Sequence, residues 1–220
     1  MKRERARLII ADDHRLVVQG LEQMLAPRYE VVGVAYDGLE LLGVLKRTEA
    51  DVVLLDLSLP GRSGLDILPD IRKIQPDLKV LVLTMHADRV LAEAALAAGA
   101  LAFVPKDAGM EELKLALTEV LAGRRFVSAR VPKSSHRVAL DALHPSLAKL
   151  TERQHAIMRM LGRGLSSGEI AAELGLSENT ITFHRKRIRA ILGLKSEWEL
   201  TRQAILVHLA TSGETEPKPT

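Results

Sequence analysis

The chain has no cysteine. A disulfide framework, a zinc–thiolate site, an iron–sulfur cluster and a thiol nucleophile are therefore excluded. Long apolar runs are absent too. None reaches the roughly 18 to 20 residues that a membrane-spanning helix needs. The first stretch, MKRERARLIIADDH, holds only four consecutive apolar residues, Leu8 to Ala11, before two aspartates. A secretory signal needs about 7 to 15 apolar residues there. No P-loop, HExxH, GxSxG or dinucleotide fingerprint occurs, so no enzyme acting on a separate substrate is expected. Internal repeats and low-complexity tracts are also lacking. A cytoplasmic protein is the expectation.

What is present divides in two. Of 220 residues, 47% are apolar and 27% charged, the balance of a globular chain with room for two ordinary domains. Residues 1–123 carry 15 lysines and arginines against 19 acids, a net of −4. Residues 124–220 carry 16 against 9, a net of +7. An acidic module joined to a basic one points to a polyanion, nucleic acid first, as the partner of the second half.

The first half alternates short apolar runs with helix-length patterns. Strands are predicted at Leu8–Asp12, Val31–Ala35, Val52–Asp56, Val80–Thr84 and Leu101–Val104. Each is nearly continuous in Val, Ile or Leu, as strands buried on both faces are. Helices are predicted at Arg15–Leu25, Leu39–Arg47, Leu65–Ile74, Arg89–Ala98 and Met110–Ala122. Five βα units imply a doubly wound, five-stranded parallel sheet. From Gly123 to Pro145 the pattern fails, and the segment reads as a tether with a helical turn at Val138–Leu143. Four helical patterns follow, Thr151–Leu161, Ser167–Leu174, Glu178–Leu192 and Glu197–Leu209, which imply an all-α domain. Ser212–Thr220 reads as a frayed tail.

Ligands of an open parallel sheet bind beyond the carboxyl ends of its strands. Those ends carry Asp12 and Asp13, Asp56, Thr84 and Lys106. Converging carboxylates repel unless a cation joins them, and hard oxygen ligands suit Mg²⁺. A metal, an ammonium and a hydroxyl can place and neutralise a phosphoryl group, with Asp56 as its acceptor. Singly, Asp12 and Asp13 are equally good helix N-caps, and His14 reads as packing against the first helix rather than as a ligand.

The motifs IIADDH (9–14), LLDLSLPGRSGLD (54–66), LTMHAD (83–88) and GALAFVPKD (99–107) resemble the receiver domain of bacterial response regulators. The resemblance implies a flavodoxin-like fold and transfer of a phosphoryl group to Asp56 from a sensor histidine kinase. It also implies Mg²⁺ held by Asp13, Asp56 and the Ser58 backbone carbonyl, with Asp12 acting through water. Thr84 would move toward the phosphoryl group while Phe103 turns inward. His86 borders the site and is a candidate for tuning hydrolysis. Two departures stand out: Pro105 precedes Lys106 rather than following it, and the switch aromatic is Phe rather than Tyr.

In the second half, LSSGEIAAELGLSENTITFHRKRIRAILG (165–193) reads as helix, turn and second helix, with Ser177 as N-cap. Ile181, Ile188, Ile191 and Leu192 share one face; Thr182, Phe183, Lys186, Arg187 and Ala190 point away. With LAKLTERQHAIMRML and LGLKS, residues 147–210 resemble the four-helix LuxR-type (NarL/FixJ) helix-turn-helix domain. The resemblance implies that Thr182, Phe183 and Lys186 face base edges of double-stranded DNA, while Thr180, Arg185 and Arg187 meet phosphates. Phe183 is open to two readings, a contact to thymine methyls or a packing residue of a protein interface. Gln154 stands where the family usually has Glu, which implies a lost salt bridge, and Ile191 replaces a usual basic residue. The last helix carries Leu200, Ala204, Ile205 and Leu209 on one stripe, either a dimer contact or core.

The organisation expected is therefore receiver 1–123, linker 124–146, DNA-binding domain 147–210 and tail 211–220. The function expected is a phosphorylation-switched, homodimeric transcription regulator. The alternative is a phosphorylation-independent regulator whose receiver is a dimerisation scaffold.

Overall fold

The computed structural model describes residues 5–60, 62, 64–132 and 144–212. The helical turn expected at Val138–Leu143 and the tail from residue 213 onward lie outside the described residues. The chain separates into two compact units, Met1–Pro132 and Lys133–Thr220.

The first unit runs β1 (Ala6–Ala11), α1 (Arg15–Leu25), β2 (Tyr29–Ala35), α2 (Gly38–Arg47), β3 (Val52–Leu55), α3 (Gly64–Ile74), β4 (Lys79–Thr84), α4 (Arg89–Ala97), β5 (Ala102–Pro105), α5 (Met110–Leu121) and β6 (Phe126–Val127). Its sheet has the order β2-β1-β3-β4-β5-β6, every pair parallel. Alternation along the strands divides the core. Leu8, Ile10, Val52, Leu54, Leu81, Leu83, Ala102 and Val104 pack with Val18, Leu21 and Leu25 of α1 and with Leu113, Ala116, Leu117 and Val120 of α5. Their neighbours in sequence, Ile9, Val53, Val82 and Phe103, turn to the other face. α2 closes on that face: a Cβ added at Gly33 would meet both Ile9 and Val44 of α2. Strands enclosed on both sides need the continuous apolar runs seen in the sequence.

Five strands were expected, and among the described residues the sheet has six. β6 falls in the segment read as tether. The Phe126 N–H donates to the Leu101 carbonyl and the Ser128 N–H to the Phe103 carbonyl, each at 3.0 Å. A two-residue strand is too short to show periodicity, and its pairing with Ala102 and Phe103 defines it.

In the second unit a 3₁₀ turn, Pro145–Lys149, precedes α6 (Glu152–Gly162), α7 (Ser167–Leu174), α8 (Glu178–Leu192) and α9 (Glu197–Ser212). The N-termini are chemically specified. Thr151 with Gln154 and Ser166 with Glu169 form capping boxes, and the Ser177 hydroxyl accepts the Thr180 N–H. The Gln154 amide thus serves a role that needs only an acceptor: its Oε1 takes the Thr151 N–H at 2.9 Å. α7 ends at Gly175, whose φ of +64° allows the tight turn into α8. Ile157, Met158, Leu161, Ile170, Ile181, Ile188 and Leu192 form the core with Leu200, Ala204 and Val207 of α9. Leu200 and Ala204 of the final stripe are therefore core residues, whereas Leu209 is exposed.

Candidate functional site

The carboxyl ends of β1, β3, β4 and β5 lie side by side, because these strands are neighbours in the sheet. Asp12 follows β1 and Asp56 follows β3, and both are buried, at 2% and 1% exposure. Lys106 follows β5 in a short 3₁₀ turn and reaches across both. Its Nζ lies 2.6 Å from Asp12 Oδ2 and 2.7 Å from Asp56 Oδ2. The second oxygen of Asp56 accepts the Ser58 N–H at 3.0 Å. Burial alone lowers the Lys106 pKa, but the hydrogen bonds and charges of Asp12 and Asp56 outweigh it and hold the ammonium above its ordinary value. Pro105 ends β5 opposite Thr84 and does not keep Lys106 from the pocket.

A close approach shapes the loop after Asp56. A Cβ on Gly64 would stand 2.5 Å from the Asp56 carbonyl oxygen and 2.8 Å from Leu57 Cα. The Gly64 N–H donates to the Leu57 carbonyl, which closes the loop. Only glycine lets the start of α3 come this near the acidic strand end.

Asp13 joins from the exposed side. His14, expected to pack against α1, instead presents Nδ1 at 2.8 Å from Asp13 Oδ1 and 3.3 Å from Asp12 Oδ1. Its backbone N–H also bonds Asp12 Oδ1. Oxygen or nitrogen atoms of Asp12, Asp13, His14 and Asp56 all lie within 4.8 Å of one another. Three carboxylates facing one ammonium leave a charge of −2, which one divalent cation would balance. The donor set is hard oxygen, with one imidazole at its rim, so the residues fit Mg²⁺.

Thr84 and Phe103 sit deeper. Thr84 ends β4, is fully buried, and its hydroxyl accepts the His86 N–H at 3.4 Å. Phe103 lies in β5 between Val82 and Val127, with no exposed surface.

The second cluster of expected residues lies on α8. Thr182, Phe183, Lys186 and Arg187 are exposed and Thr180 is half-buried. Arg185 breaks the expectation. It is 4% exposed, its Nη1 donates to Ser167 Oγ at 2.9 Å, and its Nη2 lies 3.1 Å from Glu197 Oε2. It bridges α7, α8 and α9 instead of facing a phosphate. The period held the answer: residue 185 is four after Ile181 and three before Ile188, on the buried stripe. Glu197 was missed altogether. It also binds Arg189 at 3.3 Å, so one carboxylate holds two cations of α8.

Comparison with known proteins agrees with both halves. Residues 8–118 match the response regulator receiver domain family, and residues 148–204 the bacterial regulatory proteins of the luxR family. The response regulator UvrY of Escherichia coli strain K12 is 31% identical over 205 residues, covering 90% of this chain and 93% of that protein. The response regulator GacA of Pseudomonas aeruginosa PAO1 is 32% identical over 206 residues, covering 90% and 95%. Among solved structures, RcsB from Salmonella enterica serovar Typhimurium bound to the rprA promoter matches with TM-score 0.57 and 28% identity, covering 92% of this chain and 99% of that one. Among the described residues no helix is long and apolar enough to cross a membrane. With an acidic, lysine-capped pocket at the strand ends and a helix-turn-helix beyond it, the chain belongs to the NarL/FixJ-type two-component response regulators, DNA-binding transcription regulators with a receiver followed by a LuxR-type domain.

Proposed function

We propose that phosphorylation of Asp56 by a sensor histidine kinase switches sequence-specific DNA binding through α8 of this cytoplasmic protein, with the active form a two-fold homodimer on two half-sites. The observation that carries this reading is the Asp56 carboxylate itself. It is buried at a strand end, with Lys106 on one oxygen and the Ser58 N–H on the other. An Asp56 oxygen attacks the phosphorus of a phosphohistidine as the N–P bond breaks. The imidazole nitrogen keeps the electron pair and later takes a proton from water, and an acyl phosphate remains on Asp56.

Asp13, Asp56 and the Ser58 carbonyl would hold Mg²⁺, with Asp12 assisting through water; when bound, the ion neutralises charge on the phosphoryl oxygens. Lys106 supplies the ammonium on the other side. The Thr84 hydroxyl exchanges its bond to the His86 N–H for one to the phosphoryl group, which draws the end of β4 inward and favours the buried position of Phe103. The resulting population shift is what reaches the DNA-binding domain.

The test is DNA binding by the full chain, with Mg²⁺ and a small-molecule phosphoryl donor, against Asp56→Asn. Tighter sequence-specific binding with donor, and only with Asp56 in place, is the expected result. Specific binding indifferent to both donor and substitution would leave the receiver a dimerisation scaffold.

A further inference from the structure

The chain holds six aromatic residues, three Phe, two Tyr and one Trp. Five of them are buried or half-buried, and Phe183 alone is exposed, at 57%. It stands in the second turn of α8, on the arc left over once Ile181, Arg185, Ile188 and Leu192 have turned inward. Its neighbours one turn on are Lys186 and Arg187, both exposed, and one turn back Asn179, also exposed. The ring is braced edge-on against His184, with centroids 6.1 Å apart and planes at 69°. Beside it the Thr182 hydroxyl donates to the Glu178 carbonyl at 3.1 Å, so its proton is already committed.

An apolar disc framed by cations is a poor match for an apolar protein surface, where Lys186 and Arg187 would lose their water. A DNA major groove supplies both complements at once: phosphates at the rim for the cations, and on its floor one apolar group, the C5 methyl of thymine. We infer that Phe183 reads a thymine methyl in each half-site, with Lys186 as the polar reader beside it. The inference rests on the DNA-binding reading of α8 and deepens it. It assigns to this helix a methyl-dependent specificity rather than one carried by hydrogen bonds alone.

The experiment uses the full chain and a fragment obtained by selection from random duplexes. Each thymine is replaced singly by deoxyuridine, which removes only the methyl. For the wild type, one position per half-site is expected to lose about four-fold in affinity, the value that withdrawing one methyl-sized group from an apolar contact gives. Phe183→Ala should bind more weakly and be blind to that position, while responding to other base changes as the wild type does. Phe183→Leu, still apolar, should keep the sensitivity. Identical deoxyuridine profiles for wild type and Phe183→Ala would overturn the assignment. So would a Phe183→Ala loss that is equal on every fragment and accompanied by weaker self-association without DNA, which would place the ring in an interface between copies. Absence of sequence-selective binding by the wild type would remove the DNA-binding reading of α8 and this inference together.

Discussion

In the unit Met1–Pro132 the residues of the proposed phosphorylation site are hidden. Asp12, Asp56, Thr84 and Phe103 are buried, and the strand ends that carry Asp12, Asp56 and Thr84 lie side by side only because β1, β3 and β4 are neighbours in the sheet. In the unit Lys133–Thr220 the proposed DNA contacts Thr182, Phe183, Lys186 and Arg187 stand in solvent along one face of one helix. The first arrangement makes a small charged chamber whose every polar atom is tied to another, so changing one member shifts the rest. The second is close to a row of independent contacts on a scaffold held from behind. The proposed chemistry on a phosphoryl group suits the chamber, where burial of Asp12, Asp56 and Thr84 makes charge felt strongly. Reading a duplex needs the row, because the groove is another molecule and must be reached.

That contrast can be broken most forcefully at Lys106. Lys106→Met leaves Asp12 and Asp56 facing each other without their shared cation, and a loss of about 3 kcal/mol in unfolding free energy is expected by urea titration at neutral pH. Because Asp12 and Asp56 hold the Lys106 pKa above its ordinary value in the folded protein, the lysine's contribution is in place at neutral pH. On the alkaline side it is lost as pH rises through the raised value. A loss of under 0.5 kcal/mol would mean that the chamber is not coupled as described.

Gly64→Ala comes next. Its Cβ has nowhere to go between the Asp56 carbonyl and Leu57, so roughly 1–3 kcal/mol should be lost by the same measurement. Phosphorylation of Asp56 from a small donor should slow with it, because the loop that carries Ser58 must move. Undiminished stability would show that the loop yields freely.

Arg185 sharpens the other side of the comparison. Arg185→Met removes bonds to Ser167 and Glu197 and should cost about 2 kcal/mol in stability. It should leave the slope of log K against log salt unchanged, because the guanidinium meets no phosphate. Arg187→Ala is the mirror image, with stability within about 0.5 kcal/mol of wild type and a salt slope lower by about 1. A reduced slope for Arg185→Met would restore it to the DNA face. The smallest effect is a local one: Ser166→Ala, which opens the capping box of α7, should cost about 1 kcal/mol without changing either function.

How far these features were legible follows from the same contrast. The strands of the first unit were readable because burial on both faces demands continuous apolar runs, and the site because ligands of such sheets collect at strand ends. Asp12, Asp56, Thr84 and Lys106 could thus be placed from order alone. β6 was not readable, since Phe126 and Val127 acquire strand geometry from pairing with β5 and from nothing in their own pattern. Nor was the ring of His14 against Asp13, which depends on side-chain rotation in three dimensions. In the second unit, α7 and α8 were readable from their caps and period. Arg185 was misplaced because charge was allowed to outweigh period. A cation on the buried stripe of a helix needs a buried partner, and Glu197, twelve residues on, was the acid available.

The central claim is that modification of Asp56 controls the DNA face of α8. The most direct measurement is the affinity of the full chain for its selected operator, read at fixed salt with Mg²⁺, before and after treatment with a phosphoryl donor. The same titration is run in parallel for Asp56→Asn, with mass spectrometry recording the fraction modified. The prediction is an affinity that rises in proportion to the modified fraction in the wild type and does not move in Asp56→Asn. An affinity that stays constant while Asp56 becomes fully phosphorylated would contradict it.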